Sequence, residues 1–437
     1  MSSPTYSSYK PCEVPWLHEI PASWEVDKFR HCFRESNEKN GPTPTGEMLS
    51  ISGYRGVEIK EYDDDNRRRT VEELEEYRVV RRGQLAVNTM WLNHAGLGVS
   101  SFEGHISPAY RSYWISHHLE PRFVHHLMRS SAYVDGYTAL LTGIRPNSLQ
   151  LSRDDLMSFP VLVPPRNDQL SIAGFLDRET AKIDALIDKQ EQLIAALRED
   201  RAATITRAVT RGLDPDVAMK DSSDERLGYI PAHWSLPQIG WHTKIGNGST
   251  PARDNRDYWM NGSIPWLNSG HVNRERITDA DQFVTNAALL ECHLPMVPAG
   301  SVLVGLTGQG KTRGMASLLT VPSTVNQHLA YITPDTRNIN SDYLCYALRS
   351  SYDYLRELSE ENGSTKGGLT CSALKKLRLP IPPKDEQVAL VNFLDERCAK
   401  IDSLIEKSGE MIVVLREYRS ALITNAVTGK IDVREAV

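Results

Sequence analysis

Two stretches of the chain carry an apolar row at helical spacing. Ile183, Leu186, Ile187, Leu193, Ile194 and Leu197 fall on one face at intervals of three and four, and Ile401, Leu404, Ile405, Met411, Ile412 and Leu415 repeat the pattern. Pro165 and Pro383 block helix just before each row, and Gly212 and Gly429 stand near the ends. The spacing predicts two helices of about 40 residues, rods of roughly 60 Å at about 1.5 Å per residue. No other long apolar helix is on offer to cover these rows. The rods are therefore expected to pair with each other, antiparallel if a pseudo-twofold axis relates them. The remainder is patterned differently, in short β-rich runs such as QLAVNTMWL, AYRSYWI, SIPWLNSG, SVLVGLTG and HLAYITP, punctuated by Gly and Pro. The expected fold class is α+β: two mixed α/β globules separated by a pair of long antiparallel coiled-coil helices.

The rods are copies of each other. Pro164 to Asp214 aligns without a gap on Pro382 to Asp432 at an offset of 218, and about half of the positions are identical. An opening motif, Lys10 to Trp24 ending LHEIPASW, matches Lys220 to Trp234 ending LGYIPAHW at an offset of 210. FVHHLMRSS and YLCYALRSS are a weaker pair that precedes each Pro-Pro. The interiors, roughly 30–115 and 240–335, share little. The predicted organisation is a first globule over 1–164, a first rod over 165–214, a second globule over 215–382 and a second rod over 383–437. Trp24, Trp234 and the Ile-Pro before each read as structural anchors.

Composition narrows the class without deciding it. No run approaches the roughly 18 apolar residues that cross a bilayer, and the N-terminal MSSPTYSSYKPCEVPW lacks a secretory pattern. Six cysteines lie far apart with no C-x-x-C, which predicts free thiols and a cytoplasmic protein without a metal site. The formal charge is −6, and from Arg253 to Arg313 six basic residues are balanced by six acidic ones. Nucleic-acid binding needs only one basic face, so it stays open.

The octet GLTGQGKT, Gly305 to Thr312, fits G-x-x-x-x-G-K-[ST], and a nucleotide-binding enzyme is the alternative it raises. Such a loop must open a helix whose N-terminus faces the phosphate. Lys311 is instead succeeded by TRGMASLLTVPSTVNQH, a poor helix and a plausible hairpin that would present Gln309, Lys311, Thr312 and Arg313 outward. Glu58-Ile-Lys60 resembles a nuclease tripeptide but has no P-D before it. Asp63-Asp-Asp65 beside Arg67-Arg-Arg69 reads as a charged loop, and His117-His118 and His125-His126 as a helix face and its flank. No adenine-flipping N-P-P-[YF] and no G-x-S-x-G elbow occurs. The sequence proposes no catalytic residues.

The paired blocks PPRNDQ…FLDRETAKIDALI and PPKDEQ…FLDERCAKIDSLI, with the two opening motifs, resemble the specificity subunits of Type I restriction-modification systems over essentially the whole chain. IPWLNSGHV, VPAGSVLVGLTGQGKTRGMA and TVNQHLAYI add to the likeness, as do VVRRGQLAVNTMW and GHISPAYRSYWI. The resemblance implies two target-recognition domains, each reading half of a bipartite sequence in double-stranded DNA, with the rods as spacer. It implies a chain without catalysis or cofactor of its own. Two methylation subunits carrying S-adenosylmethionine, and restriction/translocase subunits using ATP and Mg²⁺, would dock on it; a methylation-only or related restriction system is the variant. The candidate DNA contacts in the first body are Tyr54, Arg55, Asn88, Met90, Trp91, Tyr110 and Arg111. In the second they are Asn268, Ser269, His271, Arg274, Gln309, Lys311, Thr312, Arg313, Asn326, Gln327 and Lys366. Asn and Gln suit adenine, and Arg and Lys suit guanine or phosphate.

Overall fold

Pro165 and Pro383 end extended segments, and the residues after each enter a helix that nothing interrupts for more than forty positions. In the computed structural model, which describes residues 5–62, 70–142, 150–308, 310–361 and 368–435, the helices that organise the chain are six. They are α1 (Pro121–Arg129), α2 (Ser131–Leu140), α3 (Arg166–Arg211), α4 (Ser341–Ser350), α5 (Tyr352–Glu361) and α6 (Lys384–Val427). The chain forms two compact units: Met1–Glu191 with Gly409–Val437, and Gln192–Ser408. Each long helix therefore contributes one half to each unit.

In the first unit, two four-stranded sheets carry the body. One has the order Gly56–Ile59, Glu47–Ser52, Gly104–Ile106, Arg78–Val80; the other Phe33–Ser36, Arg111–Ile115, Leu85–Val87, Leu97–Val99. The second sheet packs through Phe33, Leu85, Val87, Leu97 and Tyr113 onto α1 and α2, in a core that also takes Ile172 and Leu176 of α3 and Ile423, Ala426 and Val427 of α6. In the second unit, a five-stranded sheet runs Thr243–Asn247, Leu329–Pro334, Val302–Gly305, Ala316–Leu319, Arg276–Ile277, beside a three-stranded sheet of Gln282–Val284, Ile264–Leu267 and Thr324–Val325. Its main core joins Val302, Val304 and Ile332 to α4, to Ile205 and Val209 of α3 and to Leu390 and Leu394 of α6.

The helices pair antiparallel. In the first unit Asp184 of α3 meets Arg419 of α6 at 2.9 Å and Glu191 meets Arg416 at 3.2 Å, so residue numbers climb on one helix as they fall on the other. The buried seam is narrower than the apolar rows suggest. Ile183, Ile187, Ile401 and Ile412 are buried, whereas Leu186, Leu193, Leu404 and Met411 are about half exposed and lie outside it. Two helices crossing at a shallow angle bury two positions per heptad, and the third apolar position faces out.

The sequence repeat is written into the bonds. The opening motifs fold as hairpins of identical register, Tyr9↔Pro21 with Lys10↔Ile20 and Met219↔Pro231 with Lys220↔Ile230. The buried Trp24 indole donates to Asp168 at the start of α3 (3.3 Å), and Trp234 donates to Glu386 at the start of α6 (3.0 Å). Gly429, with φ +75°, lies so close beneath Pro21 that a Cβ would sit 2.4 Å from its ring. Gly212, also at φ +75°, lies beside Trp234, where a Cβ would sit 3.3 Å from the indole ring. Each tryptophan thus fixes the beginning of one long helix beside the end of the other. Gln169 and Gln387 complete the equivalence: each is buried and bridges the Pro-Pro turn to the body before it.

Candidate nucleic-acid interface

In the second unit, three loops converge at one end of adjacent strands. Ile264–Leu267 runs parallel to Thr324–Val325, so Asn268 and Asn326 leave the sheet together, and the Asn326 amide donates to the Leu267 carbonyl (3.0 Å). The Leu306 amide donates to the His328 carbonyl (2.9 Å), which brings the Gly305–Gly314 loop alongside. Gln327 is exposed and accepts from the Thr250 hydroxyl at 2.7 Å. Sequence reasoning missed Arg253, whose guanidinium lies 4.1 Å and 4.8 Å from the rings of Trp259 and Trp266.

The Gly305–Gly314 loop answers the question raised by GLTGQGKT. Val302–Gly305 pairs antiparallel with Ala316–Leu319, and the loop is closed by the Gly305 amide on the Met315 carbonyl (3.0 Å) and the Gly314 amide on the Gly305 carbonyl (2.8 Å). A Cβ at Gly305 would lie 2.1 Å from the Thr312 carbonyl oxygen, so this glycine serves the crossing of the hairpin's own backbone. From α5, Arg356 donates to the Gly310 carbonyl (2.7 Å) and Tyr352 to the Lys311 carbonyl (2.9 Å). Among the described residues no helix starts directly after Lys311, so the helix N-terminus that a phosphate loop needs is missing and the nucleotide-enzyme reading fails. Lys311 is exposed and has no carboxylate partner among the described residues.

Burial sorts the remaining candidates. Arg313 is buried and paired with Glu360 at 2.9 Å. Asn326 is buried and accepts from the His328 amide (3.0 Å), and His271 is buried in a short capped helix begun by Asn268, whose side chain accepts from the Gly270 amide (2.9 Å). These residues build the loops instead of presenting a free edge. Ser269 is half-buried; Arg274 is exposed and engages Asp279; Thr312 is half-buried. Gln309 and Lys366 lie outside the described residues.

In the first unit, two loops meet. A Cβ on Gly53 would lie 2.4 Å from the His94 carbonyl oxygen, which sets the Ser52–Arg55 turn against the Asn88–Gly96 loop. Arg129 at the end of α1 holds both, donating to the carbonyls of Ala95 (2.9 Å) and Gly53 (2.8 Å) and to those of Ser52 (3.2 Å) and Leu97. Burial draws its pKa down to about 10. Asn88 is buried and accepts from the Met90 amide (3.2 Å), leaving Met90 and Trp91 exposed at the tip. Arg55 is exposed. Tyr54 is half exposed, but its hydroxyl is spent on Asp184 of α3 at 2.8 Å. Tyr110 packs partly into a small core with Leu49 and Ile106, and burial raises its pKa. Arg111 binds the Pro108 carbonyl at 3.0 Å and lies 3.4 Å from Glu35. The exposed side chains that the loops carry outward are therefore Arg55, Met90, Trp91, Arg274, Lys311 and Gln327.

The family described as the Type I restriction modification DNA specificity domain matches residues 239–410. The specificity subunit of the Type I restriction enzyme EcoR124I/EcoR124II of Escherichia coli is 25% identical over 184 residues, 42% of this chain and 45% of that protein. The specificity subunit of Type I restriction enzyme MjaIX of Methanocaldococcus jannaschii is 30% identical over 204 residues, 46% of this chain and 45% of that one. The chain thus spans about half the length of these two relatives. A chain from a structure of the type I R-M system, described for its complex assembly and conformational transition, superimposes with a TM-score of 0.66 at 16% identity. The match covers 95% of this chain and 100% of that one, and it shows a common fold. With the repeated frame and the paired helices, residues 239–410 thus match the Type I restriction modification DNA specificity domain, and the chain is similar in sequence to specificity subunits of Type I restriction enzymes and shares its fold with a chain of a type I R-M system.

Proposed function

We propose that this chain is the DNA-recognition subunit of a Type I restriction-modification complex and reads a bipartite duplex target, one half-site through the loops of each unit. It carries no catalysis of its own. Adenine methylation, with S-adenosylmethionine, belongs to two docked methylation subunits, and ATP-driven work to restriction subunits. The observation that carries this reading is the pairing of like frames with unlike bodies. Two hairpins of one register, two tryptophan anchors and two glutamine bridges hold bodies that share little sequence, and both bodies present loops. A single-site enzyme has no use for such a frame; a two-part reader does.

The docking proposal has its own support. Leu186 and Leu404 occupy equivalent positions of the repeat and are 47% and 50% exposed, and Leu193 and Met411 are equivalent at 44% and 49%. The same apolar pair on each helix fits two copies of one partner. The net charge of −6 implies weak DNA affinity for the chain alone, because phosphate neutralisation supplies much of such binding. Gel-shift titration with and without the methylation subunit tests this. Tight sequence-specific binding is expected only with the partner, and nanomolar binding by the isolated chain at physiological salt would contradict it.

A further inference from the structure

Frame and body meet at one equivalent place in each unit. In the first, Arg419 of α6 gives Nε and Nη2 to Asp184 of α3 at 2.9 and 3.2 Å. Tyr54, from the Ser52–Arg55 turn, donates its hydroxyl to the same carboxylate, and its ring lies 5.1 Å from the Arg419 guanidinium. Arg129 grips the Ser52 and Gly53 carbonyls at the start of that turn. In the second unit Arg201 of α3 meets Asp402 of α6 at 3.0 Å. Arg201 also engages Glu275, and Arg349 at the end of α4 reaches the same carboxylate at 2.8 Å. Glu275 follows Arg274 directly. Arg201 and Asp402 are the repeat counterparts of Arg419 and Asp184 at the offset of 218, and Arg349 is that of Arg129 at 220.

The frame therefore supplies the same three groups twice: an arginine and an aspartate that cross-link the long helices, and a second arginine from the helix before the Pro-Pro turn. Only the group that meets them differs, and it comes from the body: a donor to the aspartate in the first unit, an acceptor from both arginines in the second. The first body offers a phenol and backbone carbonyls, the second a carboxylate. Burial pushes the Glu275 carboxyl up, yet the Arg349 and Arg201 charges outweigh it and hold the group below its usual range. A part-exposed ion pair between two helices contributes little on its own. Stapling the helices does not require a body residue, yet one engages in both units by different chemistry.

We propose that this two-arginine, one-aspartate socket seats the reading loop of whichever body is attached, making Asp184, Arg419, Arg129 and their counterparts Asp402, Arg201 and Arg349 positioning residues for sequence discrimination. The proposal rests on the DNA-recognition reading above. It also assigns Tyr54 and Glu275 as plugs, which leaves Arg55 and Arg274 beside them to face the duplex.

The test uses the full chain with its methylation subunits, in the variants Tyr54→Phe and Glu275→Gln. Hydrogen exchange of the free chain reads the seat without DNA: amides of 53–57 in Tyr54→Phe, and of 274–277 in Glu275→Gln, are expected to exchange at least tenfold faster, with the melting temperature little changed. Methylation rates on the target and on single-base variants of each half-site read discrimination. Each variant is expected to relax one half-site at least tenfold, a different one for each, and to leave the other within twofold. Unchanged exchange overturns the socket. Faster exchange with discrimination intact at both halves, or eroded equally at both, overturns its role in reading. Faster exchange in the variants, together with a wild-type complex that methylates no two-part target, overturns the recognition reading beneath it and leaves the seat standing.

Discussion

Replacing Gln387 by alanine isolates the bond set that joins body to frame in the second unit. The side chain is fully buried. Its Nε2 donates to the carbonyls of Pro382 and Asn338, both at 2.9 Å, and its Oε1 accepts from the Asn340 amide at 2.7 Å. Alanine strands all three backbone groups without water. The amide costs most, since it has one donor and no substitute, whereas each carbonyl keeps a second lone pair. At ~1–3 kcal/mol per orphaned group, with the carbonyls at the low end, the loss should be about 3–5 kcal/mol. Asn340 also caps α4, its side chain accepting from the Tyr343 amide at 3.0 Å, so the damage should propagate into that helix. Urea-dependent hydrogen exchange with mass spectrometry reads each unit by its own peptides. Peptides over 338–350 should lose protection at lower urea in Gln387→Ala, and those over 118–129 in Gln169→Ala, where Gln169 bonds Pro164 at 2.8 Å, His118 at 3.1 Å and the Glu120 amide at 2.7 Å. A loss below about 1 kcal/mol in either variant, or an Asn340 amide that keeps its protection, would refute the assignment.

Burial, then the neighbouring Arg129 charge, pushes His125 down to about 3, and its neutral Nδ1 accepts from the Val99 amide at 3.3 Å. Unfolded histidine titrates near ~6.5, so between these values the unfolded chain binds the extra proton and the first unit loses stability as pH falls. The loss should be about 2 kcal/mol between pH 7 and 5, absent in His125→Gln, as read by chemical denaturation at each pH. Lys311→Ala should leave ATP and GTP binding undetectable, as in the parent, and weaken DNA binding by the complex with a salt slope reduced by about 1. Leu186→Glu with Leu404→Glu should halt assembly with the methylation subunit in sedimentation while the melting temperature stays within about 2 °C, because both side chains lie off the buried seam.

The repeat and the period of the rods were legible in the sequence, because a long gap-free match and a helical period need no tertiary information. The strands in SVLVGLTG, HLAYITP and AYRSYWI were legible too, as runs of β-branched and aromatic residues. Three features were not. A row of apolar residues at intervals of three and four does not distinguish a broad buried stripe from a seam, which is why Leu186 and Met411 seemed as internal as Ile187 and Ile412. Asn88, Asn326 and Arg313 had donor chemistry suited to bases, but short polar side chains also satisfy the loop that carries them, and here they do. The third is that each unit is completed by the end of the other half's rod. The socket residues left a trace nonetheless: the Asp of AKIDALI and AKIDSLI and the second Arg of REDR and REYR recur at one offset, a polar coincidence inside apolar rods.

The most direct test maps methylated adenines genome-wide in cells that express the chain with its methylation subunits, first with the native chain and then with residues 240–335 replaced by the corresponding body of a relative of different specificity. The account predicts a two-part motif in which one half changes and the other half stays. A continuous motif, or a swap that alters both halves, would contradict it.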